Sequence, residues 1–134
     1  MAALHAVCFT TPRPWSEAEF TVQLADPLTL CLTSPNGFLL GRVVAGEAEV
    51  LTLAVHPDAR RQGIARNLLD RFHAQACRRN ATEVFLEVAA DNIPAVQLYH
   101  AAHYATAGRR RGYYTHASGP PTDALILRKP LTAP

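Results

Sequence analysis

The stretch from Glu49 to Ala65 constrains the fold of this chain more than any other. Glu49 to Val55 is an apolar run with too few polar alternations for a surface strand, so the pattern predicts a strand covered on both faces. His56-Pro57-Asp58 ends it, and an arginine-rich loop follows. At Gly63 the hydrophobic period changes from about two residues to about 3.6, which marks the passage from strand to helix. Ile64, Leu68, Leu69, Phe72 and Ala76 then share one face of a helix predicted over Gly63 to Arg79. A helix start presents unpaired N–H groups and the positive end of the helix dipole, which together suit an anion such as a diphosphate. The small residues Gly63 and Ala65 let the anion approach the backbone, and Arg60, Arg61 and Arg66 supply charged donors. A helix-opening glycine beside solvated arginines would explain a lone Gly-x-Ala more simply. The buried strand, basic loop and helix arriving in that order favour anion binding. The segment is neither a P-loop, which ends in Gly-Lys-Ser/Thr, nor the Gly-x-Gly-x-x-Gly of dinucleotide folds.

Around this segment the pattern is that of one mixed α/β domain spanning residues 1–134. Ala2 to Phe9 reads as a short helix, and the two prolines of Thr10 to Trp15 keep that stretch from being helical throughout. Ser16 and Glu19 have capping-box spacing for a second helix that stops near Asp26-Pro27. Leu28–Thr33 and Phe38–Val44 form a hairpin across Ser34-Pro35-Asn36-Gly37. Glu83–Val88 is a further strand, and Pro94 opens a helix running to about Ala102. Tyr104–Tyr114 and Ala124–Arg128 are the last two strands.

Composition restricts the remaining possibilities. With 134 residues, 49% of them apolar and 18% charged, the chain can build a core without metal or disulfide staples. Its three cysteines, Cys8, Cys31 and Cys77, are scattered, which predicts reduced core thiols in a cytoplasmic protein. A net charge of +2 is too small to argue for nucleic acid. No apolar run is long enough to span a membrane, and no leader-like segment opens the chain. None of the six histidines has metal-ligand spacing, so each is expected to be structural or superficial and no metal is expected. Arg109-Arg110-Arg111 reads as a solvated strand end, with contact to substrate or RNA as the alternative.

Arg60-x-x-Gly63-x-Ala65 resembles the Arg/Gln-x-x-Gly-x-Gly/Ala motif with which GNAT acetyltransferases hold the pyrophosphate of coenzyme A. The resemblance continues through Pro14-Trp15-Ser16-Glu17-x-x-Phe20, Leu86-Glu87-Val88, Asp91-Asn92 and Ala95-Val96-Gln97-Leu98-Tyr99. Arg110-Arg111-Gly112-Tyr113-Tyr114 and Asp123-Ala124-Leu125-Ile126-Leu127 extend it over nearly the whole chain. This set is similar to the ribosomal-protein alanine N-acetyltransferases, the RimI type. The resemblance implies a GNAT fold: a mixed central sheet flanked by helices. The family usually opens with a strand before its first helix. Here Met1 leads straight into helix-like sequence, so that strand is expected to be absent or replaced. Where the family commonly has glycine after the Tyr99 helix, this chain has His103, read as a helix cap that tolerates left-handed backbone.

The implied reaction moves an acetyl group from acetyl-CoA to the N-terminal α-amine of a protein, foremost the N-terminal alanine of a small-subunit ribosomal protein. The resemblance assigns Glu87 as base and Tyr99 as the acid that meets the leaving thiolate. It places coenzyme contacts at Leu53, Val55, Arg60, Arg61, Gln62, Gly63, Ile64, Ala65, Arg66, Asn92 and Tyr99, with a backbone N–H near Val55 for the thioester carbonyl. On pattern alone Glu87 reads as a solvent-facing strand residue sharing a face with Phe85, Tyr99 as a packing aromatic beside Leu98, and Asn92 as a helix cap. A small-molecule amine acetyltransferase and a non-catalytic coenzyme-A-binding sensor are the competing readings. A monomer or weak dimer is expected.

Overall fold

The computed structural model describes residues 1–8, 16–60, 62–116 and 119–132, residues 6–8 by their backbone alone. The expectations for Thr10 to Trp15 and for Arg61 lie outside the described residues. Helices α1 (Ala2–Cys8) and α2 (Glu17–Ala25) come first. Strands β1 (Thr29–Ser34), β2 (Gly37–Val44) and β3 (Glu47–Val55) follow, then a short 3-10 turn at Pro57–Ala59. The chain continues through α3 (Ile64–Arg78), β4 (Glu83–Ala89), α4 (Ile93–Ala101), β5 (Ala105–Tyr114) and β6 (Thr122–Pro130). The capping box at the start of α2 is formed. The Glu19 N–H donates to Ser16 Oγ at 3.2 Å, and the Ser16 N–H to Glu19 Oε1 at 3.1 Å.

The strands make one six-stranded sheet in the order β1-β2-β3-β4-β6-β5. Each neighbouring pair is antiparallel except β3 and β4, which are parallel and joined by the α3 crossover. One face lies under α3 and α4. Its core joins Leu39, Val50, Leu68, Phe72, Leu86 and Leu127, among others. The other face carries Phe38, Leu40 and Ala54, with Phe20 of α2 and Ala2 and Leu4 of α1 packed on them. His5 Nε2 and Thr52 Oγ1, 2.8 Å apart and buried, tie α1 to β3. Both faces of β3 are therefore covered, as its apolar run predicts.

The cysteine expectation needs correcting. Cys31 is exposed and Cys77 only partly buried, so these two are not core thiols. β1 is an edge strand whose alternate residues point outward, and Cys31 lies between the buried Leu30 and Leu32.

Two features of β2 and β3 prepare the site. Leu40 pairs with Thr52 and Gly41 with Val50, so Leu51 is an extra residue that bends β3 and increases its twist. Gly41 lets Phe72 of α3 lie against β2, because a Cβ at position 41 would come within 2.2 Å of the Phe72 ring. Gly41→Ala is expected to cost about 1–3 kcal/mol through overpacking. The check is a lower midpoint of denaturant unfolding at unchanged slope.

Candidate active site

The parallel ladder between β3 and β4 covers only Glu47, Ala48 and Glu49 against Glu83, Val84 and Phe85. Beyond these pairs the strands diverge, and the bulge at Leu51 sits where β3 turns away. A cleft of about 540 Å³ fills the opening. Leu53, Ala54 and Val55 form one wall, and Asn92, Pro94, Ala95, Leu98 and Tyr99 form the other. Arg60 and Ala65 line it as well. A smaller cavity of about 170 Å³ shares Val55, Arg60, Ala65 and Leu98 with it and adds Gly63, Ile64 and Arg66. The pair makes one groove with apolar walls and a basic, helix-terminal end.

That end is built by local sequence. The His56 imidazole accepts the Asp58 N–H at 3.2 Å, which closes the 3-10 turn and directs the chain toward α3. Gly63 caps α3 with a φ of +76°. An added Cβ at Gly63 would meet nothing within 4 Å, so the glycine serves its left-handed backbone and the open approach to the helix start. Gly63→Asp is expected to leave a folded protein while removing the rise in melting temperature on adding acetyl-CoA. The substitution costs about 1–2 kcal/mol of backbone strain and sets a carboxylate where an anion is to bind. A preserved thermal shift in the folded variant would place the diphosphate elsewhere.

Helix α4 carries Tyr99 to the opposite wall. Asn92 caps it, its Oδ1 accepting the Ala95 N–H at 3.3 Å, and lines the cleft at the same time. Tyr99 is 7% exposed. Burial raises its phenol well above the ordinary value, so it stays protonated, and therefore a donor, throughout the neutral range.

Glu87 lies on the other face of the sheet. In β4, Leu86 and Val88 point into the core under α3 and α4, and Glu87 alternates away from them. Its half-buried carboxylate is 3.2 Å from an Arg110 nitrogen. Arg110 lies over the Tyr113 ring, 5.2 Å from its centroid, and the rings of Tyr113 and Tyr114 meet edge-on at 5.2 Å. Burial, and next the charge of Glu87, pushes the Tyr114 phenol up to about 12. Glu49 shares the surroundings: burial, and then Glu87, raises its carboxyl, while Arg42 opposes the rise.

Among the residues anticipated at the site, Leu53, Val55, Arg60, Gly63, Ile64, Ala65, Arg66, Asn92 and Tyr99 line the groove. Gln62 is exposed and lines neither cavity. The Glu87 carboxylate instead lies on the opposite face of the sheet, paired with Arg110. The arginine run is not simply a solvated strand end. Arg109 pairs with Asp123 at 2.6 Å and Arg110 with Glu87. Nothing in the local sequence makes Arg110, Tyr114 and Glu49 neighbours of Glu87. Strand alternation gives their facing, but the register that joins β5, β6 and β4 is long-range. Among the described residues, no group of three or more His, Cys, Asp or Glu side chains is placed to hold a metal. No described helix is long and apolar enough to cross a membrane.

A split parallel pair, a glycine-capped helix start beside one strand and a buried tyrosine beside the other frame the groove. The acetyltransferase (GNAT) family model matches residues 3–104, and the chain belongs to that family, whose members use acetyl-CoA. The chain is 33% identical over 135 residues to the ribosomal-protein-bS18-alanine N-acetyltransferase of Escherichia coli K12, covering 98% of this chain and 90% of that one. It is 34% identical over 137 residues to the N-alpha-acetyltransferase RimI of Mycobacterium tuberculosis H37Rv, covering 96% of this chain and 83% of that protein. The crystal structure of the ribosomal-protein-S18-alanine N-acetyltransferase from Escherichia coli superposes with a TM-score of 0.86 at 31% identity. That match covers 98% of this chain and 85% of the other.

Proposed function

We propose that this chain acetylates the N-terminal alanine of ribosomal protein bS18, using acetyl-CoA as donor. The observation that carries the reading is the arrangement about the β3/β4 gap. Tyr99 and the glycine-capped helix start lie on the groove side, and Glu87 faces the other. Donor and peptide would reach the gap from opposite faces of the sheet. The names of the relatives supply the substrate.

In this reading Glu87 takes a proton from the substrate ammonium, directly or through water. An α-amine has a pKa of about 7.7–8.0 and is largely protonated at neutral pH. The freed amine forms the new C–N bond at the thioester carbon. A backbone N–H of β3 near Val55 donates to the carbonyl oxygen as charge gathers there. The C–S bond then breaks, and the Tyr99 hydroxyl donates to the departing thiolate. The nitrogen gives up its second proton to water as the amide forms. Tyr99 regains from water the proton it gave the thiolate, and Glu87 releases its own to solvent. Transfer is direct, so no residue is acylated. The bonded Arg110 guanidinium fixes the Glu87 carboxylate on that face of the sheet. Arg60, the N–H groups of residues 63–65 and the donors of Arg66 would hold the diphosphate.

Every assigned residue lies on one domain, residues 1–134, so a monomer or weak dimer suffices, and no metal has a step. In this reading the six-stranded sheet is the family's sheet without its usual first strand. A ribosomal substrate places the reaction in the cytoplasm. The experiment is acetyl transfer from acetyl-CoA to peptides that share the bS18 N-terminal sequence and differ at the first residue. The reading expects turnover to be highest with alanine. Turnover of free small amines but not peptides would favour a small-molecule enzyme, and coenzyme binding without turnover a sensor.

A further inference from the structure

Tyr99 sits near the end of a helix of nine residues, too short to hold its own place in water. Three side chains fix that end. Arg66 donates through Nη1 to the Ala101 carbonyl at 3.1 Å, and Lys129 through Nζ to the Ala102 carbonyl at 2.9 Å. Tyr104, whose ring meets the Tyr99 ring edge-on at 5.6 Å, is anchored by its hydroxyl to His73 Nε2 at 2.6 Å. Cations at the last carbonyls of a helix also complement its dipole.

The three anchors differ in what else they touch. Lys129 and His73 line a separate cavity of about 200 Å³ with Cys77. Arg66 lines the 170 Å³ cavity at the start of α3, beside Gly63, Ile64 and Ala65. Its Nε is held by Asp70 at 3.2 Å, one turn along α3, so the guanidinium is fixed between the anion-binding end of α3 and the far end of α4. A planar guanidinium can donate in several directions at once.

We propose that Arg66 is a positioning residue that couples occupancy of the coenzyme loop to the placement of Tyr99 on α4. This rests on the reading of Tyr99 as the donor to the thiolate. A diphosphate at the start of α3 would draw on the free donors of Arg66 and thereby tighten its hold on the end of α4.

The test compares Arg66→Met, which keeps the stem, with Arg66→Lys and Lys129→Met. The readouts are acetyl-CoA affinity, kcat at saturating acetyl-CoA, and amide hydrogen exchange at residues 93–101 with and without acetyl-CoA. In the wild-type protein acetyl-CoA should slow exchange along α4. Arg66→Met should lose that gain and lower kcat at saturating acetyl-CoA roughly tenfold, besides weakening acetyl-CoA affinity through the lost diphosphate contact. Arg66→Lys should recover part of both. Lys129→Met should speed exchange on α4 equally with and without acetyl-CoA and keep the coenzyme-induced gain.

Affinity weakened in Arg66→Met, with kcat at saturating acetyl-CoA unchanged, would leave Arg66 a diphosphate ligand only and overturn the coupling. So would a coenzyme-induced gain that survives in Arg66→Met, or one that is lost equally in Lys129→Met. If Tyr99→Phe leaves kcat unchanged, the reading of Tyr99 fails, and the exchange arm still decides the coupling.

Discussion

Glu87→Gln is expected to lower turnover on an alanine-starting peptide by about 100-fold or more near neutral pH, within the usual reach of general acid–base catalysis. Glutamine keeps the size of the side chain and an oxygen that can accept from Arg110, but it cannot take a proton. The substrate then has to arrive already neutral. As pH rises through the α-amine pKa the neutral fraction grows, so the deficit should narrow at higher pH while the wild-type profile flattens. Acetyl-CoA affinity should be unchanged, because Gly63 and Ala65 line the groove on the other side of the gap. The variant also loses the Glu87–Arg110 ion pair, a partly exposed contact of small energetic weight, so the folded protein should be little destabilised. The measurement is a pH–rate profile of both proteins with melting curves and coenzyme affinities alongside. Superimposable profiles, with chemistry limiting the rate, would remove Glu87 as base and leave it an ordinary strand residue.

Tyr99→Phe should reduce turnover by roughly 10- to 1000-fold with little change in coenzyme affinity. The ring fills the cleft wall and meets Tyr104, and phenylalanine preserves both contacts. Only the hydroxyl is lost. Because burial keeps that hydroxyl protonated, wild-type activity should show no loss at moderately alkaline pH from deprotonation of Tyr99. Single-turnover rates separate this step from product release. A rate equal to wild type under conditions where acyl transfer limits turnover would return Tyr99 to a packing role. Donors with better thiol leaving groups should lose less activity in the variant, since a more stable thiolate needs less help from a donor.

The sequence by itself determined the elements that frame one half of the groove. Periodicity placed α3 and its buried stripe, the Ser16–Glu19 spacing named a cap that forms, and Pro94 opened α4 where the helix begins. His103, read as a helix cap, adopts a φ of +71°. These are properties of residues within a few positions of each other, where backbone geometry and capping act. The strand–loop–helix succession around Gly63 belongs to the same class, which is why the glycine-capped helix start could be read from spacing.

Tertiary structure decided the rest. That β3 and β4 separate after Glu49 and Phe85 follows from a bulge at Leu51 and from pairings to different neighbours, none of them visible in local pattern. Arg110 reaches Glu87 because β6 lies between β5 and β4. Arg66 turns from the start of α3 to α4 because the crossover brings residue 101 beside residue 66. Cys31 faces outward because β1 is an edge strand. In each case the partner is set by long-range register, and a shift of one residue would turn every side chain of a strand to the opposite face. Local sequence carries the propensity of an element and the chemistry of its residues, while the packing of the whole chain selects which of them meet.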